Sequence, residues 1–216
     1  MTHGLYFRLG YTFAHAIDDG QDALVAGRPA TVQNSYAPGS ERGNSVTDQR
    51  NRFVFSWIYE PRALNAGKGM LGFLTKGLKD SGVVTYGSGR PVDATVVGDG
   101  NQDGNSNNDR IPGARRNSFI GPDYATADMR ISRRLFSKNG WRLEFSAESF
   151  NLFNHLNRRF QITDDGIMSN AAQFNFGTRQ IGTHFYPAYY QVPTNFLRAT
   201  NAYAPRQLQF AMRLGF

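Results

Sequence analysis

The chain has 216 residues, 17 Phe, 10 Tyr and a mean hydropathy of -0.49, and no run of about 18 apolar residues, so a transmembrane helix is excluded on length while membrane strands stay open. Cysteine is absent, which excludes disulfides and thiolate metal sites and is compatible with passage through an oxidising periplasm. A net charge of +7 and a pI near 9.9 raise nucleic acid as a partner, but Arg8, Arg52, Arg130, Arg142 and Arg213 are scattered rather than clustered, and no nucleic-acid-binding signature accompanies them, so the reading is no nucleic acid.

The first thirty residues lack a basic start followed by an apolar run, so no signal peptide is expected in the chain. Period-two alternation, which sends successive side chains to opposite faces of a strand, then recurs along the sequence. In residues 5–13, Leu5, Phe7, Leu9, Tyr11 and Phe13 oppose Tyr6, Arg8, Gly10 and Thr12. A long polar loop over residues 18–48 leads to a second segment, where Phe53, Phe55, Trp57 and Tyr59 oppose Arg52, Ser56 and Glu60. After a shorter link around residues 61–70 comes a weaker segment, 81–87, with Val84 and Tyr86 on one face. Another long loop, 88–122, precedes a fourth segment, where Ala127, Met129, Ile131 and Leu135 alternate with Asp128, Arg130, Ser132 and Arg134. The tight turn Ser137-Lys138-Asn139-Gly140 joins it to Trp141, Leu143, Phe145 and Ala147, which alternate with Arg142, Glu144, Ser146 and Glu148. The longest connection, 155–204, precedes the last segment, in which Leu208, Phe210, Met212, Leu214 and Phe216 alternate with Gln207, Gln209, Arg213 and Gly215.

A soluble sandwich shows the same alternation, so connection lengths carry the discrimination. Long and short connections alternate, as in antiparallel membrane strands with short periplasmic turns and long extracellular loops, whereas most connections in compact domains are a few residues long. The fold class is therefore all-β: an antiparallel transmembrane β-barrel segment of about six strands with long extracellular loops in the bacterial outer membrane. The terminal segment resembles the recognition strand of outer-membrane barrels, so Phe210, Met212, Leu214 and Phe216 are expected to form an assembly signal read by the barrel assembly machinery.

Four pieces, in order, carry a more specific resemblance: Asp48-Gln49-Arg50-Asn51-Arg52-Phe53, Ser88-Gly89-Arg90-Pro91, Asn108-Asp109-Arg110-Ile111-Pro112-Gly113, and Phe150-Asn151-Leu152-Phe153-Asn154-His155-Leu156-Asn157. They resemble the C-terminal barrel of TonB-dependent receptors, and within these the Oar-like group, whose N-terminus carries a carboxypeptidase-regulatory-like domain. The resemblance covers essentially the whole chain and implies a barrel of about 22 strands plugged from within. Residues 1–216 are then its C-terminal portion, with no counterpart of plug, TonB box or signal peptide. Outer-membrane lipid, the assembly machinery, the TonB system acting through the missing N-terminal part, and an unknown nutrient ligand are the implied partners.

Candidate chemistry is sparse. Asp99, Asn101, Asp103, Asn105 and Asp109 follow the spacing of a calcium loop with Gly104 at the turn, but Arg110 occupies the twelfth position, where a bidentate carboxylate belongs. Ca2+ in an extracellular loop is thus the one cofactor considered, beside a solvated Asx/Gly-rich turn that needs no ion. His3, His15, His155 and His184 lack metal-ligand spacing, Gly87-Ser88-Gly89 is no nucleophile elbow, and Gly98, Gly100 and Gly104 sit in no strand-to-helix context, so no catalytic site is expected and the chain is not read as an enzyme. Glu144 and Glu148 share a face with Arg142, which suits charge pairing in a polar lumen. Three functions stay open: a barrel wall and ligand-capturing loops of a TonB-dependent transporter, a non-transporting surface barrel or adhesin, and a secreted soluble β-domain with calcium-stabilised loops.

Overall fold

The computed structural model describes residues 4–20, 32–34, 36–61, 69–94, 96–97, 101–104, 109–111, 113–138, 140–160, 174–181, 184–191 and 196–216. Its eight long strands are β1 (Leu5–Phe13), β2 (Asn51–Tyr59), β3 (Leu78–Gly87), β4 (Tyr124–Lys138), β5 (Trp141–Phe150), β6 (Phe174–Ile181), β7 (His184–Gln191) and β8 (Gln207–Gly215). Six of them form one antiparallel sheet in the order β1-β2-β3-β4-β5-β8. Each of the six is nine residues or longer, the length a tilted strand needs to cross a bilayer. No described helix is long and apolar enough to cross a membrane.

Register makes the alternation continuous across the sheet. Phe7 lies opposite Trp57 and Leu9 opposite Phe55; Phe55 then faces Val84, and Val84 faces Ala127. Across the other half, Ala147 lies between Ile131 and Phe210, and Phe145 opposite Met212. One face is therefore apolar from edge to edge and largely exposed: Phe7, Leu9, Phe13, Leu208, Phe210 and Met212 are each more than 60% accessible. In water such a sheet would aggregate, whereas in lipid that face meets its solvent. The opposite face carries Arg8, Arg52, Ser56, Asp128, Arg130, Glu144, Glu148 and Arg213, with Arg130 reaching Glu148 at 3.0 Å and Glu144 at 3.7 Å. The paired charges assigned to a lumen wall thus bridge adjacent strands, with Arg130 as the cation where the sequence had suggested Arg142.

Two local departures have clear causes. A bulge between Leu143 and Glu144 shifts the β4–β5 register, so Phe136, rather than the Leu135 that an unbroken ladder from Glu144–Arg134 would give, lies opposite Leu143. Trp57 lays its indole across β3 and donates Nε1–H to Asp80 at 2.7 Å, and it can do so because residue 82 is glycine: any Cβ there would collide with the ring.

The ends of the sheet differ. At one end, β4 and β5 turn through two residues, with Gly140 at φ +85° as a tight hairpin requires, and the β2–β3 link contains a short helix α1 (Met70–Thr75). Beside it Arg133, a cation on the apolar face of β4, lies over the Phe73 ring at 5.0 Å and donates to the Phe73 carbonyl at 2.7 Å, keeping its charge at the rim. Asn139, assigned to that turn, lies outside the described residues. At the other end the three long connections converge. The third, read from sequence as the longest connection with no strand assigned in it, contains the β6–β7 hairpin, which docks in parallel on residues 96–97.

Candidate ligand-facing surface at the loop end

The buried apolar cluster among the described residues lies in these loops and not under the sheet. Val92, Ala94, Val96 and Phe160 form it, with Ile111, Phe119, Phe196 and Ala199 packed around; Phe119 and Phe196 meet edge to face at 5.1 Å. Loops with a core of their own hold a shape, which is what a binding surface needs.

Charged and amide side chains tie the loops together. Arg110, 6% exposed, donates Nη1–H to Glu41 at 3.0 Å, its Nη2 also pairs with Glu41, and its Nε lies 3.7 Å from Asp93. Burial pushes the Asp93 carboxyl up to about 6, against the opposing pull of Arg110 and of hydrogen bonds from the backbone N–H groups of Asn117 and Ala94. Arg116 donates to the carbonyls of Glu41 (2.8 Å), Asp18 (2.7 Å) and Gly20 (3.2 Å) and pairs with the Asp18 carboxylate. Asn44 and Asn117 exchange side-chain donors with each other's carbonyls at 3.1 and 2.7 Å. The first and second long loops are thereby fastened along a buried polar seam, none of which was singled out for its chemistry from sequence beyond the Asn108–Gly113 piece.

Three of the four motif pieces prove to be joints between strands and loops, while the described residues of the other, 109–111 and 113, lie within the second long loop. The Asp48 carboxylate accepts the Ala16 N–H at 2.8 Å, the Gln49 amide donates to the Ser88 carbonyl at 3.2 Å, and the Ser88 hydroxyl accepts the Asn51 N–H at 3.0 Å. Gly89 lies against the Gly121 carbonyl so closely that no side chain fits. Asn151, in the left-handed region at φ 51°, closes a turn by accepting the His155 N–H and donating to the His155 carbonyl, both at 2.9 Å. Its own N–H donates to Asp128 at 2.8 Å, while the Asn157 amide accepts from the N–H and donates to the carbonyl of Ala125, both at 2.7 Å, as a neighbouring strand would. Asn at positive φ with a self-bonding side chain explains why this turn is written in asparagine.

The candidate calcium positions divide. Asp99 and Asn105 lie outside the described residues. Asn101 and Asp103 form an Asx turn, the Asp103 N–H donating to the Asn101 side chain at 3.0 Å, and Asp109, 1% exposed, accepts the Asn101 N–H at 3.2 Å. Among the described residues no group of three or more His, Asp or Glu is gathered as a metal ion would need. Phe210, Met212 and Leu214 line the apolar face of β8, which among the described residues pairs with β5 alone. Phe216 lies 5.5 Å from the Trp141 ring at the short-turn end.

On the polar face, Ser56, Ser81, Asp128, Arg130 and Glu148 border a groove of about 430 Å3. A sheet that is apolar on one face, polar on the other and capped by folded loops at one end has the layout of a membrane barrel wall. Comparison with known families matches residues 1–113 to the family described as Outer membrane beta barrel domain. No curated protein and no solved structure matches the chain. With 113 of its 216 residues matched, the chain belongs to that outer membrane β-barrel family, and its place is the bacterial outer membrane.

Proposed function

We propose that the chain forms part of the wall and the ligand-capturing loops of a TonB-dependent outer-membrane receptor that takes up a nutrient ligand. The observation that carries this reading is the polarity of construction: tight turns at one end, and at the other three long loops with their own apolar core and a buried polar seam. Loops built only to pass between strands need no core, whereas a receptor's loops must hold a ligand-shaped surface. The Oar-like resemblance of the joint motifs points the same way. Among the described residues the six-stranded sheet has two edges without a partner, β1 and β8, and closure in hydrocarbon needs both paired, so the reading takes the remaining strands, a plug and a TonB box to be supplied by the same protein. It also takes Phe210, Met212, Leu214 and Phe216 to be what the assembly machinery reads.

Membership of an outer-membrane barrel family removes the basis for the secreted soluble reading. The deciding experiment against a non-transporting surface barrel is isolation of the mature protein from outer membranes, with peptide mass mapping and cross-linking to the periplasmic domain of TonB. Peptides from an upstream plug, together with a TonB cross-link, are expected. A protein without plug peptides, forming an open pore and failing to cross-link, would refute the transporter reading.

A further inference from the structure

We propose that a pocket at the loop-end mouth of the polar face binds a small solute bearing oxyanions, carboxylate or phosphate, through Arg90, Arg158 and Arg159. The pocket measures about 250 Å3, slightly below the 300–1,000 Å3 usual for drug-sized ligands. Three arginines are among the residues that line it, and among the described residues no Asp or Glu does. Four carboxylates of the loop end are engaged with other arginines: Glu41 and Asp93 with Arg110, Asp18 with Arg116, Asp48 with Arg50. Among the described residues none of the three arginines has a salt-bridge partner, so the pocket carries an excess of positive charge that favours an anion.

The site is also held in place. Arg158 and Arg159 pair as a short ladder with Ala202 and Asn201, and they lie between two anchored residues: Asn157, clamped to the Ala125 backbone, and Phe160, in the loop core. The Arg159 guanidinium lies over the Tyr203 ring at 5.2 Å, and that ring meets Tyr124 edge to face at 5.3 Å. A guanidinium lying over a ring still has N–H groups to offer for bidentate contact with an oxyanion. Tyr124 lies opposite Gly87 and so on the polar face, which puts the pocket inside the barrel mouth, away from lipid phosphates on the outer side. The inference rests on the transporter reading only in taking the polar face as a solute's route.

The test is calorimetry on the protein extracted from outer membranes in detergent, with citrate and tripolyphosphate as probes. Saturable binding of at least one is expected, weakened roughly tenfold or more in Arg158→Gln/Arg159→Gln and a few-fold in Arg159→Lys, which keeps the charge and loses the fork. Lys79→Gln, at the short-turn end, should leave it unchanged. Citrate binding alone would identify a carboxylate site and tripolyphosphate binding alone a phosphate site. Where the double variant fails to fold, as read from loss of heat-modifiable migration, Arg90→Gln replaces it with the same expected direction. No binding of either probe, or affinity unaltered by the arginine variants, would overturn the proposal. Calorimetry reads binding without uptake, so a protein that binds and does not transport would refute the receptor reading while leaving this one standing.

Discussion

Replacing Arg110 with Gln should loosen the loop assembly without unfolding the barrel wall. Arg110 and Glu41 side chains are both 5% exposed, and Asp93 lies within ion-pair distance of the same guanidinium. Removing the cation strands one or two carboxylates in a buried site, and breaking such a pair typically costs about 3–5 kcal/mol. Asp93 gives an independent scale: its pKa rises from 3.8 to about 6, and at about 1.36 kcal/mol per unit its ionised form already carries roughly 3 kcal/mol of net burial cost with Arg110 present. The sign for pH follows. A folded-state pKa above the unfolded one means the folded loops bind more protons between pH 3.8 and about 6, so this contribution is fully present below 3.8 and is lost as pH rises through 6. Without Arg110 the lowering influence disappears, the Asp93 pKa climbs further, and the window of acid stabilisation extends upward.

Hydrogen exchange of the loop amides in the detergent-extracted protein, corrected for intrinsic rates and compared at pH 5 and pH 7.5, reads both effects. In Arg110→Gln, amides around residues 92–96 and 109–117 should lose protection by several kcal/mol at pH 7.5 and regain part of it at pH 5. Asp93→Asn should flatten the pH dependence of the parent. Strand amides of β2–β5 should change little in either variant. Loop protection in Arg110→Gln equal to the parent at pH 7.5 would refute the buried-seam argument.

Three further outcomes are expected. Phe145→Arg, on the outward face and opposite Met212, should lower barrel stability by about 2–4 kcal/mol in denaturant unfolding from lipid vesicles, while Gln209→Arg on the polar face should stay within about 1 kcal/mol. Deleting Phe216, which lies against Trp141, should reduce the heat-modifiable protein in outer-membrane fractions without altering synthesis; equal amounts would count against the assembly-signal reading. Gly82→Val should drive the Trp57 ring off β3 and break its bond to Asp80, seen as a shifted tryptophan emission and a loss of about 1–2 kcal/mol; an unchanged spectrum would refute the close approach.

Strand placement was legible because each transmembrane strand writes its two environments into alternate residues, and register then carries that pattern unbroken from Leu9 through Phe55, Val84 and Ala127. The β4 bulge was not legible: it shifts the partner of Leu143 from Leu135 to Phe136, and both are apolar, so alternation alone cannot choose. Nor was the β6–β7 hairpin, whose sequence mixes Gly, Arg, Asn and Tyr with no clean period. The loop seam hid for a different reason. Glu41 and Arg110 are 69 residues apart and Arg116 lies 96 from Gly20, so only the fold shows that they meet. The Asp99–Asp109 spacing illustrates the converse, since Asp109 accepts a backbone N–H in a buried position, a use the calcium pattern does not encode.

The inverted distribution of apolar groups links these results. In a soluble domain the sheet's apolar face would supply the core; here it faces outward, and the loops must build a core of their own from Val92, Ala94, Val96 and Phe160. That core is small, so the loops depend on buried polar joints: Arg110 with Glu41, Arg116 on three carbonyls, Asn117 with Asn44, Asn157 on Ala125. Such joints are stable when complete and costly when broken, because each unmatched buried group bears its full desolvation penalty. They also fix geometry more sharply than apolar contacts do, since donors and acceptors must align. A chain that must face lipid along its wall and present a defined surface at its mouth thus spends its apolar residues on the wall and its Asn, Asp and Arg on the mouth. The motifs that made the sequence recognisable are those mouth joints, and a substitution at Asn151 or Asn157 should therefore disturb the loops' shape before it disturbs the barrel.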